Sequence, residues 1–201
     1  MQSLFIVALL IFSASTLYFL VSARKTFNSP FLVSLITVAS YAVMLEGSLA
    51  AVGTAAVPIY YTRWIFYALS CTLLIYEIAH LLAKSQEQTL ELLYLTAIVM
   101  LTGAFSSYYS GTFMLIFFVI STFAYVFILK EVLGSEAEHK AAISKYMLAG
   151  WTGFPIVFLL APEGFGLIGN LPAAVLYLVL DVFTKIVFYL EFAKASKQPA
   201  A

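Results

Sequence analysis

The sequence predicts an all-α membrane protein, a single domain over 1–201 built as a bundle of seven transmembrane helices. Three observations predict it. Of the 201 residues, 63% are hydrophobic and 10% charged, whereas a soluble domain is about half apolar and about a quarter charged. Seven apolar stretches, each about as long as the ~20 residues a helix needs to cross a bilayer, use most of the chain. Lysine and arginine are sorted by those stretches. Arg24, Lys25, Lys84, Lys130, Lys140, Lys145, Lys194 and Lys197 all fall on one side of a seven-helix alternation, and only Arg63 and Lys185 lie inside segments. Basic residues collect on the cytoplasmic face. The N-terminus is therefore expected outside and the C-terminus in the cytoplasm, in a multi-pass protein of the cell membrane surrounded by the lipid bilayer.

The stretches run over about 3–22, 31–52, 58–83, 90–109, 111–133, 141–162 and 170–193. Connections between them are short, and no soluble domain is left over. Formal net charge is zero and no basic tract stands out, which argues against a nucleic-acid partner. The single cysteine, Cys71, has no partner for an internal disulfide. His80 and His139 are far apart, so no metal site is expected.

The first stretch is Leu/Phe/Val/Ala packing. It has no basic lead and the length of a full span, so it is expected to be a helix and not a cleaved signal. The second carries Glu46, toward its outer end. That acid either reaches the interface or joins a proton path, the first being the cheaper placement. Gly47 and Gly53 nearby would let helices approach closely.

The third stretch, PIYYTRWIFYALSCTLLIYEIAHLL, is the most informative. Pro58 suits a helix start. With Arg63 taken as the origin and about 100° per residue, Phe66 falls near −60°, Tyr67 near +40°, Ser70 near −20° and Glu77 near −40°. A cation, an aromatic, a hydroxyl and an acid thus share one stripe. Glu77 lies about 21 Å from Arg63 along the axis and about 10 Å beyond Ser70. The order suits a path for a proton or small cation. The plainer reading is that Arg63 and Glu77 snorkel to opposite interfaces.

The fourth and fifth stretches carry few polar groups. Phe113, Phe117, Phe118, Phe123 and Tyr125 read as packing rather than a ligand box. Their Ser/Tyr-rich connection, 105–111, is a tight turn with interfacial aromatics. The charged segment GSEAEHK after the fifth stretch reads as a helix-capping connection. In the sixth stretch, Trp151, Phe154 and Phe158 recur at i, i+3, i+7 as an aromatic wall. Pro155 should kink that helix and free a backbone carbonyl.

The seventh stretch holds Asp181 and Lys185 at i, i+4, on one helix face within a run long enough to span. Charges at that depth are costly and usually functional. A lysine in an apolar pocket is a good amine for a Schiff base with an aldehyde. The alternative is an ion pair that only locks helix packing.

DVFTK in a seventh helix resembles the retinal-binding segment of microbial rhodopsins. The WxxFPxxF run from Trp151 to Phe158 resembles the ring-gripping wall of that family, and the arginine-led third helix its transport helix. The resemblance implies all-trans retinal as a Schiff base on Lys185, with Asp181 as counterion and with Tyr67, Trp151, Phe154, Pro155 and Phe158 around the chromophore. The residues three, seven and fourteen after the arginine are Phe66, Ser70 and Glu77. That set is similar to the schizorhodopsins, whose implied activity is light-driven inward proton transport, and Cys71 after the serine also fits. Outward pumps of the family usually have carboxylates at the first and last of those positions, and Phe66 cannot accept a proton. On this reading Arg63 pairs with Asp181, and light turns the chromophore to 13-cis. The proton leaves toward Glu77, which either holds it or steers it, and reprotonation comes from outside. Ser70, Cys71 and Tyr67 tune the surroundings. The protein is then a transporter and not an enzyme, and the family implies a homo-oligomer, commonly a trimer. Two other functions compete: a light sensor acting through a partner, for which the short loops leave little surface, and a non-opsin carrier using Asp181 and Lys185 as a proton-coupling pair.

Overall fold

The computed structural model describes residues 1–22, 28–47, 50–54 and 58–195. Seven helices are long and apolar enough to cross a membrane: α1 Gln2–Ser22, α2 Ser29–Glu46, α3 Tyr61–Leu81, α4 Gln86–Tyr108, α5 Gly111–Leu133, α6 Lys140–Leu160 and α7 Asn170–Phe192. Helices are forced by the solvent, because lipid offers nothing to a free backbone N–H or C=O. Several hydroxyls inside the spans are satisfied by the helix's own carbonyls. Thr16 donates to the Phe12 carbonyl at 2.7 Å, Thr37 to Val33 at 2.8 Å and Thr96 to Leu92 at 2.8 Å. Large apolar side chains such as Leu10, Leu101, Phe113 and Phe123 stay exposed on the bundle's outer face, where lipid would meet them.

Local chemistry sets the helix ends. Asn28 accepts from the Phe31 N–H at 3.2 Å and donates to the Phe19 carbonyl at 2.8 Å, so one side chain joins the end of α1 to the start of α2. Ser85 and Gln88 form a reciprocal capping box on α4. The Lys84 ammonium meets Glu131 at 3.0 Å and ties α3 to α5 at the same end of the bundle. Tyr146 donates to Glu191 there, joining α6 to α7. Of the basic residues used for orientation, Arg24, Lys25 and Lys197 lie outside the described residues.

The second and third stretches differ from expectation at their facing ends. Hydropathy carries the second helix to about 52 and starts the third at 58. Instead α2 stops at Glu46, capped by Gly47 in the left-handed region at φ 78°. Strand β1, Ala50–Val52, then pairs antiparallel with β2, Pro58–Tyr60, Ala51 lying opposite Ile59. Pro58, expected at a helix start, therefore sits in a strand, where its missing N–H is tolerated at an edge. Apolar Ala and Val read alike in a span and in a short hairpin, and so hydropathy overran the turn. The hairpin is pinned to the α4–α5 connection by Thr54, whose N–H reaches the Tyr108 carbonyl at 2.8 Å. Glu46 is exposed at the last turn of α2, the interfacial one of its two expected places.

Two helices are not uniformly α. Helix α6 passes through a π turn at Met147–Trp151, and α7 through another at Val182–Val187. The irregularity expected at Pro155 thus begins a turn earlier. The π turns face each other: a Cβ on Gly150 would collide with the Thr184 methyl, so only glycine permits this approach. One core packs the Lys84 end of the bundle, with Leu74, Ile75, Ile128 and Phe188 among its members. Smaller cores, around Phe12 and Met44 and around Ala161 and Ala173, pack the Arg63 end. Between them lies a cavity that holds the unusual residues.

Candidate functional site

The centre of the site is α7. Lys185 Nζ lies 2.8 Å from Asp181 Oδ1, and the two side chains are 3% and 0% exposed. The other carboxylate oxygen, Oδ2, accepts two phenolic hydrogens, from Tyr67 on α3 at 2.7 Å and from Tyr41 on α2 at 2.9 Å. The Tyr67 ring also lies under the ammonium, 4.2 Å from centroid to Nζ. A buried carboxylate is tolerable only when its oxygens are occupied. Here one is covered by a cation and the other by two short, charge-assisted bonds.

Arg63 does not pair with Asp181, contrary to expectation. Its guanidinium lies 4.3 Å above the ring of Tyr177, one turn before Asp181 on α7. Both oxygens of Asp181 are already occupied, and the cation sits on an aromatic face. Glu163 reaches this end of the cavity from the α6–α7 connection, and its Oε2 is buried without a hydrogen-bond partner. A tight turn holds it there. A Cβ on Gly164 would collide with the Phe158 carbonyl oxygen, so the chain can fold back onto the end of α6 only with glycine at that position.

The cavity runs from this end past Lys185 between α3, α4, α5, α6 and α7. Lys185, Asp181, Tyr67, Trp151, Phe154, Pro155 and Phe158 all line it, as do Arg63 and Cys71. Phe154 meets Tyr67 edge-on at 5.7 Å and stacks on Tyr177 at 6.2 Å. Phe158 stacks on Phe118 of α5 at 5.7 Å and 9°. Two of the five aromatics expected to be packing, Phe118 and Tyr125, therefore face the cavity. Phe66 and Ser70 do not line it. Ser70 is fully buried behind it, its hydroxyl directed at the Tyr67 carbonyl at 3.4 Å, and Phe66 is half-buried.

Glu77 is apart from this group. It is half-buried toward the Lys84 end and accepts from the Ser29 hydroxyl, the first residue of α2, at 2.9 Å. Tyr189, one turn beyond Lys185, is buried with an unpaired hydroxyl, and Ser29, Glu77 and Cys71 are its polar neighbours. The sequence reading missed Tyr41, Tyr177, Glu163 and Ser29. A signal existed for two. Tyr177 stands four before Asp181, and Tyr41 closes the hydroxyl series Ser34, Thr37 and Ser40 of α2, all buried.

The cavity fits retinal. A long conjugated aldehyde needs an amine, an anion beside the resulting cation and flat apolar walls. Lys185, Asp181 and the Trp151–Phe154–Phe158 face with Phe118 supply these, and the described residues contain no metal-binding cluster.

Residues 1–195 match the family described as bacteriorhodopsin-like protein. The chain is 31% identical over 176 residues to the bacteriorhodopsin-II-like protein of Haloquadratum walsbyi, covering 78% of this chain and 71% of that protein. It is 29% identical over 198 residues to the bacteriorhodopsin of Halobacterium salinarum, covering 86% and 75%. The crystal structure of schizorhodopsin 4 superposes with a TM-score of 0.89 at 36% identity, over 98% of this chain and 99% of that one. Seven membrane-spanning helices, a lysine–carboxylate pair in the seventh and this likeness over nearly the whole length agree, and the chain belongs to the bacteriorhodopsin-like family as a schizorhodopsin-like microbial rhodopsin of the cell membrane.

Proposed function

We propose that the protein is a light-driven inward proton pump with retinal attached to Lys185. Its family comprises light-driven ion pumps and sensors whose members bind retinal through a lysine Schiff base, and they are not enzymes. One observation carries the inward direction: the carboxylate beside Lys185 is already occupied on both oxygens, whereas Glu77, toward the Lys84 end, has a single serine donor. Beside the amine stands one carboxylate, Asp181, already holding a cation and two phenols. Phe66, immediately before Tyr67 on α3, is half-buried and carries no group that could accept a proton. The free carboxylate on the α3 stripe is Glu77, toward the Lys84 end.

When bound, retinal supplies a light-driven change in the direction of the N–H at Lys185 Nζ. The residues then do the rest. Asp181 balances the charge at Nζ. Phe66 closes the route that an outward pump needs. Glu77, presented by Ser29, draws the proton toward the Lys84 end, about 9 Å beyond Cys71 by helix rise. Arg63, Tyr177 and Glu163 line the opposite end, from which Nζ is reprotonated. The lysines at 84, 130, 140, 145 and 194 mark the cytoplasmic side. Assembly as a trimer is part of the same proposal.

Cells expressing the protein, given all-trans retinal and illuminated in unbuffered medium, should alkalinise that medium, and a protonophore should abolish the change. Acidification would reverse the direction. A coloured protein with no pH change would make it a sensor, and one that takes up no retinal would leave only the non-opsin carrier.

A further inference from the structure

The π turn in α6 has an anchor on α5. In an α-helix the Met147 carbonyl would accept from the N–H of Trp151; in the π turn it accepts from Thr152 N–H at 3.2 Å. Tyr125 of α5 reaches the same carbonyl, its hydroxyl donating at 2.9 Å. The Tyr125 oxygen also lies 2.9 Å from Thr152 Oγ1. Two hydrogen arrangements are possible, and distance selects between them: Thr152 would reach the Met147 carbonyl only at 3.5 Å, so Tyr125 donates to Met147 at 2.9 Å and Thr152 donates to Tyr125. Tyr125 is 8% exposed and lines the cavity that Trp151 walls.

A π turn holds one residue more than the α turn it replaces. Its loss would rotate the rest of α6 by about 100° and shift it about 1.5 Å along the axis. Phe154 and Phe158 lie beyond the turn and Trp151 lies in it. The register of this one turn therefore decides where the aromatic wall stands relative to Lys185. We propose that Tyr125 and Thr152 are positioning residues forming a register lock: together they hold α6 in the π form and so place the wall against the chromophore. The lock rests on the reading that the cavity holds retinal. It adds a determinant outside α3 and α7.

The test uses the full chain in membranes with all-trans retinal, comparing wild type with Tyr125→Phe, Thr152→Val and Thr152→Ser. The readouts are the dark absorption band and the rate of return after a flash. Tyr125→Phe and Thr152→Val should each move the band and slow the return about fivefold, the ratio one neutral hydrogen bond supports. Thr152→Ser keeps the hydroxyl and should behave as wild type. The double variant should add little to Tyr125→Phe, because both bonds belong to one unit. A Tyr125→Phe pigment with native band and return rate overturns the lock, as does a lowered thermal midpoint with an unmoved band. If Tyr125→Phe forms no pigment, the threonine pair decides: equal behaviour of Thr152→Val and Thr152→Ser overturns the lock, and loss in the first with recovery in the second supports it. A wild type that takes up no retinal would instead remove the functional reading on which the lock rests.

Discussion

Removing the Tyr67 hydroxyl tests the site at its centre. Tyr67→Phe keeps the ring under Lys185, 4.2 Å from the ammonium, and deletes only the 2.7 Å bond to Asp181. That bond joins a buried phenol to a carboxylate that is 0% exposed. A hydrogen bond to a charged group contributes about 1.5–3 kcal/mol. For a chain of about 200 residues each kcal/mol moves the thermal midpoint by about 2–4 °C, so a loss of roughly 3–12 °C is expected. Tyr41→Phe should cost less, its bond being longer at 2.9 Å and its hydroxyl remote from the lysine ring contact. The double variant should exceed the sum of the two, because the first loss leaves one donor on Oδ2 and the second leaves none. The absorption band of the retinal-bound protein should also move to shorter wavelength, since a carboxylate with fewer donors holds its charge closer to the Lys185 cation. Thermal bleaching of the visible band in detergent reads both effects at once. A double variant with native midpoint and native band would show that the phenols do not hold Asp181, and the account of the site would fail.

Lys185→Ala should give a colourless protein after retinal addition, and a retained visible band would place the chromophore elsewhere. Asp181→Asn should shift the band or abolish it, because the buried lysine loses its one anionic contact at 2.8 Å; an unchanged spectrum would contradict this. Glu77→Gln should keep the colour and slow or stop light-driven pH change, while Ser29→Ala, which frees the same carboxylate from its 2.9 Å donor, should alter the rate less. Undiminished pumping in Glu77→Gln would take Glu77 out of the path.

The seven spans were legible because lipid imposes one rule on every segment, a run of about 20 apolar residues with internal backbone bonding. The rule fails where apolar chain leaves the membrane. The 47–60 connection is as hydrophobic as a helix end, and nothing in Ala51 or Val52 announces a strand; Gly47, Gly53 and Pro58 were its punctuation. In the site, the Asp181–Lys185 face was legible from spacing on one helix, and the α3 stripe only in part, since Arg63 and Tyr67 line the cavity while Phe66 and Ser70 do not and Glu77 lies apart. The contacts between helices were not legible. Charge is visible in a sequence and suggests Arg63 with Asp181, whereas Tyr177 as an alternative seat depends on which faces of α3 and α7 meet. Phe118 and Tyr125 were read as packing for the same reason: an aromatic on a span looks alike whether it faces lipid or a cavity. The π turns have no sequence signature of their own, since they arise from contacts such as Gly150 against Thr184.

Those interhelical contacts bear on direction more than the list of acids does. A carboxylate takes a proton most readily when an oxygen is free to receive it. Asp181 has one oxygen under two phenols and the other against Lys185, so a proton arriving there must displace a bond already made. Glu77 has a single serine donor and is partly exposed at its end of the bundle. Two acids of similar intrinsic strength are thereby made unequal by their neighbours; a third, Glu163 with its unpaired Oε2, lies at the Arg63 end, on the proposed entry side. If Tyr41 and Tyr67 create that inequality, the Tyr41→Phe/Tyr67→Phe double variant should leak protons back toward Asp181 and lower the net alkalinisation per absorbed photon, with Glu77 intact. Full net transport in a double variant that has lost both phenols would mean that the direction is set at Glu77 alone.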